Sequence, residues 1–153
     1  MSLLSALRNA LNELNCVSGS VHVRNGNCLE LRAHLGLPSS VIPLIETIPK
    51  GKGMAGQAWY RGEPVSTCNL KGDTLAPIRP GARAVDAQSA VALPIMSKAG
   101  SVIGVVGFAA RDNCGFDMDR LDQCQEVARR IIVPELSPVS GDGDRPTAEV
   151  KTN

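Results

Sequence analysis

The sequence predicts an α+β fold in which an antiparallel sheet carries a helix from each end of the chain on one face. Three observations predict it. Leucines recur at helical spacing over the first fourteen residues, and apolar residues do so again after Asp117. Between these lie short runs that alternate, or are apolar throughout, bounded by Gly, Pro and Asn as strands are. A glycine-rich turn with one short helix, Lys50 to Gly62, sits in the middle of the order. With 153 residues, 43% of them hydrophobic, the chain suits one domain, residues 1–136, followed by a tail. Sixteen Lys and Arg against fifteen Asp and Glu, with only 3% aromatic residues, give neither a basic surface nor a stacking platform, so no nucleic-acid partner is predicted. No run approaches the roughly 20 apolar residues of a membrane span. Met1 to Asn15 also lacks a basic leader and a cleavage site, so a cytoplasmic protein without membrane contact is predicted.

Ser2 is placed to cap the first helix, residues 3–15, where Leu4, Leu7, Leu11 and Leu14 form a narrow stripe widened by Leu3 and Ala10. Three turns are marginal alone, so either the domain itself or a partner subunit must cover that stripe. After a turn at Asn15 to Gly19, the runs Ser20 to Arg24 and Cys28 to His34 predict a hairpin. A two-residue Asn25-Gly26 turn would set Val23 against Cys28 and Val21 against Glu30, mixing polar and apolar faces. A three-residue connection, Asn25-Gly26-Asn27, instead pairs Val23 with Leu29 and Val21 with Leu31, leaving His22 opposite Glu30 on the solvent side. Gly36-Leu-Pro38 ends the strand, and Ser39 or Ser40 caps a short turn carrying Val41, Leu44 and Ile45.

In the central stretch, Gly51-Lys-Gly53-Met-Ala-Gly56 matches the dinucleotide pattern G-x-G-x-x-G. That pattern requires a buried strand before it and a full crossover helix after it. The run Val41 to Ile48 is interrupted by Pro43 and closed by Pro49, and the helix has room for about two turns before Gly62, so a nucleotide loop is not predicted. Met54, Ala55, Ala58 and Trp59 give this helix its apolar face.

Pro64 to Cys68 predicts a short edge strand. Asn69 to Gln88 contains Gly72, Pro77, Pro80 and Gly81 and has no lasting period; its length, with Leu75 and Ile78 to pack, predicts a lid. Ser89 to Met96 and Ser101 to Ala110 read as two central strands. In the first of them Val91, Leu93 and Ile95 face one way; the second is apolar on both faces, and its Gly104 and Gly107 permit close approach from above. Asp117 caps the last helix, residues 117–133, in which Leu121, Cys124, Ala128 and Ile131 repeat at helical spacing and which Pro134 is expected to stop. Residues 137–153 are rich in Ser, Pro, Gly and charge, which predicts a flexible tail.

His22, Cys28, Glu30 and His34 share the predicted polar face, but no pair has zinc-ligand spacing, and no metal or cofactor is predicted. The five cysteines are odd in number and form no C-x-x-C pair, so neither a disulfide framework nor a zinc knuckle is expected.

Thr47-Ile-Pro-Lys-Gly-Lys-Gly-Met-Ala-Gly-Gln-Ala, Gly62-Glu-Pro-Val, Ser89-Ala-Val-Ala-Leu-Pro-Ile and Val102-Ile-Gly-Val-Val-Gly-Phe together resemble the GAF domain, over about residues 3 to 134. The resemblance implies a sheet of about six antiparallel strands, a pocket on the face opposite the terminal helices, and dimerisation through those helices. The pocket residues it implies are Trp59 on the short helix, Thr67 and Cys68 on the edge strand, Asp73, Arg79, Arg83 and Asp86 on the lid, and Ser89 and Val91 on the central strand. Among GAF-fold enzymes the chain looks most similar to free methionine-R-sulfoxide reductases. Those need a nucleophilic cysteine in the glycine turn and a resolving cysteine in the lid before an aspartate. The matching positions here are Ala55 and Val85, followed by Asp86, and Ala90 stands where those enzymes place a glutamate after the last lid serine. The residues of cyclic-nucleotide, bilin and haem sites in the family are likewise unmatched. The sequence thus predicts a sensing domain without catalysis: a homodimer through residues 3–15 and 117–133 that binds an unidentified small molecule and signals through a partner protein. The alternatives are a scaffold without ligand and a thiol-dependent reductase resting on Cys68.

Overall fold

The computed structural model describes residues 2–67, 88–111 and 116–136, with side chains up to Ile132. Helix α1 (Leu3–Leu14) leads into strands β1 (Ser18–Asn25) and β2 (Cys28–Leu35). Then follow a one-turn helix α2 (Ile42–Ile45), β3 (Thr47–Pro49), α3 (Gly53–Arg61) and β4 (Val65–Thr67). Strands β5 (Ser89–Met96) and β6 (Val102–Ala110) and helix α4 (Met118–Leu136) complete the order. The strands form one six-stranded antiparallel sheet in the order β3-β2-β1-β6-β5-β4. Among the described residues no helix is long and apolar enough to cross a membrane.

The ends of the helices follow from their sequences. Ser2 takes an extended conformation and accepts the Ser5 amide at 3.1 Å, so one of the four orphan amides of α1 is satisfied. Asp117 does the same for α4, its Oδ1 accepting the Arg120 amide at 2.8 Å. Pro134 does not stop α4, which continues to Leu136. The amide that proline lacks removes one backbone bond close to the helix end, where few residues depend on it.

Helices α1 and α4 pack side by side on one sheet face. Leu7, Leu11 and Leu14 meet Cys124, Ala128, Ile131 and Ile132 over a floor of Val21, Leu93, Val106 and Phe108. Each fully buried Leu or Ile contributes about 1.5–3 kcal/mol of burial. Leu7 is 0% exposed, so its own domain covers the leucine stripe. Only Leu4, 41% exposed, faces outward. Gly104 makes the close approach of α4 possible, because a Cβ there would stand 2.6 Å from the His22 carbonyl oxygen and 2.8 Å from Ile132 Cδ1. The second core lies on the opposite face, where Ala58 and Trp59 of α3 pack on Leu29, Ile48, Val65 and Val105.

The hairpin differs from the sequence-based register. Asn25 pairs with Cys28 across a two-residue turn, Gly26-Asn27, so Val23 lies opposite Glu30 and His22 opposite Leu31. Gly26 has φ 64° and Asn27 does not take positive φ, the sign pattern of a II′ turn whose twist suits a hairpin. Farther along, Val21 pairs with Ala33 while His22 pairs with Leu31, leaving Arg32 as an extra residue in β2. This bulge turns β2 over. Leu29 packs under α3, and Ala33 joins the core under α1. Simple alternation places all three of Leu29, Leu31 and Ala33 on one side, which the bulge prevents.

Candidate functional site

The sheet face beneath α3 carries an unusual row of small side chains. Along β1, β6 and β5, Ser18 pairs with Ala109, Ser20 with Gly107, Ala109 with Ala90 and Gly107 with Ala92. Directly opposed residues of antiparallel strands share a face, so these side chains form one shallow floor. Helix α3 covers one side of it, and the segment containing Leu37, Val41 and Ile45 covers another. Between them remains a cavity of about 130 Å³, on the side away from α1 and α4. Its roof and sides are Val41, Ile45, Ile48, Met54 and Ala55, with Lys52, which is exposed, at the edge. Gly107 keeps the floor low, since a Cβ at that position would already stand 3.0 Å from Ser20 Oγ.

The glycine turn sets the first turn of α3 against this space. Gly51 donates to the Gly56 carbonyl at 2.9 Å, and Gln57 Nε2 donates to the Gly51 carbonyl at 2.7 Å. Gly56 has no alternative residue, because a Cβ would lie 2.7 Å from the Pro49 carbonyl oxygen. The three glycines of the G-x-G-x-x-G pattern therefore fold a turn back on its own helix, and β3 before them is a three-residue edge strand.

His22 is among the residues that border the cavity. It is 2% exposed, which corrects the solvent-facing position that strand alternation assigns it. The reason is that β1 is a central strand covered on both faces, so both sets of its side chains are buried. The ring Nε2 lies 2.8 Å from the Ile45 carbonyl oxygen. Burial pushes the imidazole pKa below its ordinary value, and the bond to Ile45 offsets this in part. A carbonyl can only accept, so Nε2 carries the proton and Nδ1 holds a bare lone pair. That Nδ1 is buried and has no hydrogen-bond partner among the described residues.

The structure disperses the residues that the sequence assigned to a pocket. Val91 borders the cavity, although its side chain packs with Leu93 and Phe108 on the helix side. Thr67 is buried and opposite Ala90, on the cavity's side of the sheet, but does not line it. Ser89 is buried opposite Ala110 and likewise does not line it. Trp59, 4% exposed, lies in the α3 core with Arg24 and Lys50 each 5.4 Å from its ring centroid. Cys68, Asp73, Arg79, Arg83 and Asp86, with the lid from Asn69 onward, lie outside the described residues, as does the tail 137–153. Ser18, Ser20, His22 and Gly107 were missed. Their signal is present in the sequence: small residues two apart on three strands that become neighbours. Reading it requires the strand order 1-6-5.

Among the described residues no group of three or more His, Cys, Asp or Glu could hold a metal ion. The cysteines Cys16, Cys28 and Cys124 do not line the cavity, whereas Ala55, which the family resemblance matches to the reductase cysteine, does. The Cys124 thiol is pushed up to about 11, chiefly by burial, and is therefore a packing group and not a thiolate.

Comparison with solved structures finds the same fold repeatedly. The GAF domain of an Acinetobacter phosphoenolpyruvate-protein phosphotransferase superposes with a TM-score of 0.69 at 16% identity, over 94% of this chain and 89% of that one. A free methionine-R-sulfoxide reductase from Neisseria meningitidis, in complex with its substrate, gives 0.68 at 20% identity, over 84% of this chain and 72% of that one. The type II enzyme of Thermoplasma acidophilum gives 0.64 at 18% identity, over 86% and 93%. At these identities the likeness concerns the fold and not the chemistry. No curated protein sequence matches the chain. A family model described as the GAF domain matches residues 2–131, nearly the whole folded part, and with the six-stranded sheet and its two terminal helices this places the chain in the GAF domain family.

Proposed function

We propose that this GAF domain is a non-catalytic sensor, which binds a small molecule in the cavity beneath α3 and passes the binding event to a partner protein through α1 and α4. The observation that carries the reading is the cavity itself: a mainly apolar space of about 130 Å³ between α3 and a floor of small side chains. A domain built only to assemble partners gains nothing from a floor of Ser, Ala and Gly where Val or Leu would pack. Among the described residues Cys16, Cys28 and Cys124 stand outside the cavity wall and so supply no nucleophile to it; Cys68, on which a reductase reading rests, lies outside the described residues.

The route for a signal is short. Strands β1 and β6 carry the cavity on one face and receive α1 and α4 on the other, with Ile132 Cδ1 2.8 Å from where a Gly104 Cβ would stand. A ligand that prefers one spacing of β1 and β6 biases the seating of α4, as a population shift requires. Homodimerisation through α1 and α4 belongs to the same proposal. Because Leu7 and Leu11 are used internally, it would run through the outer surfaces that bear Leu4 and Met118, which are 41% and 73% exposed.

Ligand-observed NMR of a fragment library against the wild type and Gly107→Leu tests the reading. The leucine side chain grows into the floor of the cavity, so fragments that bind the wild type should lose binding to the variant. Hits that bind both proteins equally, or no hits at all, would remove the cavity from the account.

A further inference from the structure

We infer that residues 37–46 form a strap that opens to admit a ligand, and that His22 is the positioning residue that clasps it shut over the cavity. The inference rests on the cavity being the ligand site, as proposed above, and assigns that site its entrance. Two walls of the cavity are held in different ways. Helix α3 is anchored by Ala58 and Trp59 in a core with Leu29, Ile48, Val65 and Val105, and the glycine turn ties back to it through the Gly51–Gly56 and Gln57–Gly51 bonds. The wall made of Leu37, Val41 and Ile45 rests on a much smaller cluster, in which only Val41 and Ala109 are buried. No residue of α2 is buried, Leu44 is exposed, and the helix has no side-chain N-cap. A segment with so few buried apolar contacts opens at lower free energy than the core around it.

The bonds that hold the strap down are concentrated at one end. His22 Nε2 donates to the Ile45 carbonyl at 2.8 Å, and the Leu31 amide donates to the next carbonyl, that of Glu46, at 2.9 Å. These donors come from different strands, β1 and β2, and grip consecutive peptide units. His22 and Ile45 both line the cavity, so the side-chain bond joins sheet to wall across its edge. At the other end the chain leaves β2 through Gly36, whose φ is 75° and where a Cβ would collide with the Val17 carbonyl oxygen. The strap is thus seated at a position only glycine fits and clasped at its far end by His22 and Leu31. Opening breaks the Nε2 bond and uncovers Ala109 beneath Val41, while the sheet keeps its pairing. Removing the donor leaves the Ile45 carbonyl stranded in the closed state, so the open strap should gain about tenfold in population.

Amide hydrogen exchange of the full chain, followed by NMR, tests the clasp. In the wild type the Leu31 amide should exchange through an opening of its own, faster than the amides of β6, which report unfolding of the sheet. This reading does not depend on any variant folding. In His22→Leu the Leu31 amide should speed up about tenfold relative to the β6 amides. His22→Gln should restore it, because the glutamine side-chain N–H stands the same number of bonds from the backbone as Nε2. A residue that only stabilises the fold would leave the ratio of these rates unchanged. Iodoacetamide labelling of Ala109→Cys tests the entrance, since position 109 is buried beneath Val41. Its rate should rise in step with exchange at Leu31. A Leu31 amide that exchanges with β6 in the wild type, no relative gain in His22→Leu, no rescue by His22→Gln, or labelling of Ala109→Cys that ignores the clasp, would each overturn the inference. The proposed function is judged separately. If fragments distinguish the wild type from Gly107→Leu while the strap tests fail, only the entrance is wrong; if no fragment distinguishes them, the ligand site falls and its entrance with it.

Discussion

Replacing His22 by leucine should make the protein less sensitive to acid, by an amount that follows from its surroundings. At pH 7.5 two effects oppose each other. The variant strands the Ile45 carbonyl without its donor, which costs about 1–3 kcal/mol, and no longer buries the polar Nδ1, a relief of similar size. The two proteins should therefore agree within about 2 kcal/mol, with leucine of similar bulk filling the site. At lower pH they should part. The folded pKa of His22 is lowered by burial, so the unfolded chain, near 6.5, takes up the proton first. Acid then favours the unfolded state. The stability of the wild type is unaffected by this group above about pH 7, falls as pH drops through 6.5, and levels only below the folded value. The slope cannot exceed about 1.4 kcal/mol per pH unit, so by pH 5 the wild type loses at most about 2 kcal/mol that His22→Leu keeps. Urea unfolding of both proteins at pH 7.5, 6.5, 5.8 and 5.0 measures the difference, and the carboxylates common to both cancel in it. His34 is exposed and present in both. Stability curves that stay parallel across this range would refute the buried, neutral assignment of His22.

Other perturbations test the packing that supports the cavity. Leu7→Ala should cost about 2–5 kcal/mol in urea unfolding, because Leu7 is 0% exposed in the core beneath α1; a variant within 1 kcal/mol of wild type would mean the leucine stripe is not internal. Gly104→Val should cost at least about 1–3 kcal/mol in the same assay, since its Cβ meets main chain at 2.6 Å, and wild-type stability would contradict the close seating of α4. Arg130→Ala should change stability by no more than about 1 kcal/mol, because its 3.2 Å pair with Glu13 joins side chains 58% and 44% exposed; a larger loss would give this bridge a role the geometry does not.

Much of the fold was legible because local chemistry and tertiary structure agree there. Ser2 and Asp117 cap as their residue types favour, and β5 and β6 read as central strands because both faces are buried and the residues are apolar on both. The failures share a cause: each depends on a feature that exists only after pairing. Arg32 is an ordinary strand residue until the register with β1 makes it a bulge, and that single residue moves Leu29 and Ala33 to opposite faces. Thr47-Ile-Pro49 is too short and too proline-rich to announce a strand, and becomes one by adding to the edge of β2. His22 reads as solvent-facing because a polar residue alternating with Val21 and Val23 usually is; the helices and turn that bury it come from distant sequence. The cavity was invisible for a related reason. Volume left empty by Ser20, Ala92 and Gly107 belongs to three strands at once, and no single run carries it.

Native mass spectrometry of protein purified gently, without added ligand, weighs any bound molecule, with Gly107→Leu beside the wild type. The wild type should carry or take up a small passenger of defined mass which the variant lacks. A wild type that stays clean after exposure to cell extract, or a passenger held equally by Gly107→Leu, would contradict a ligand site beneath α3.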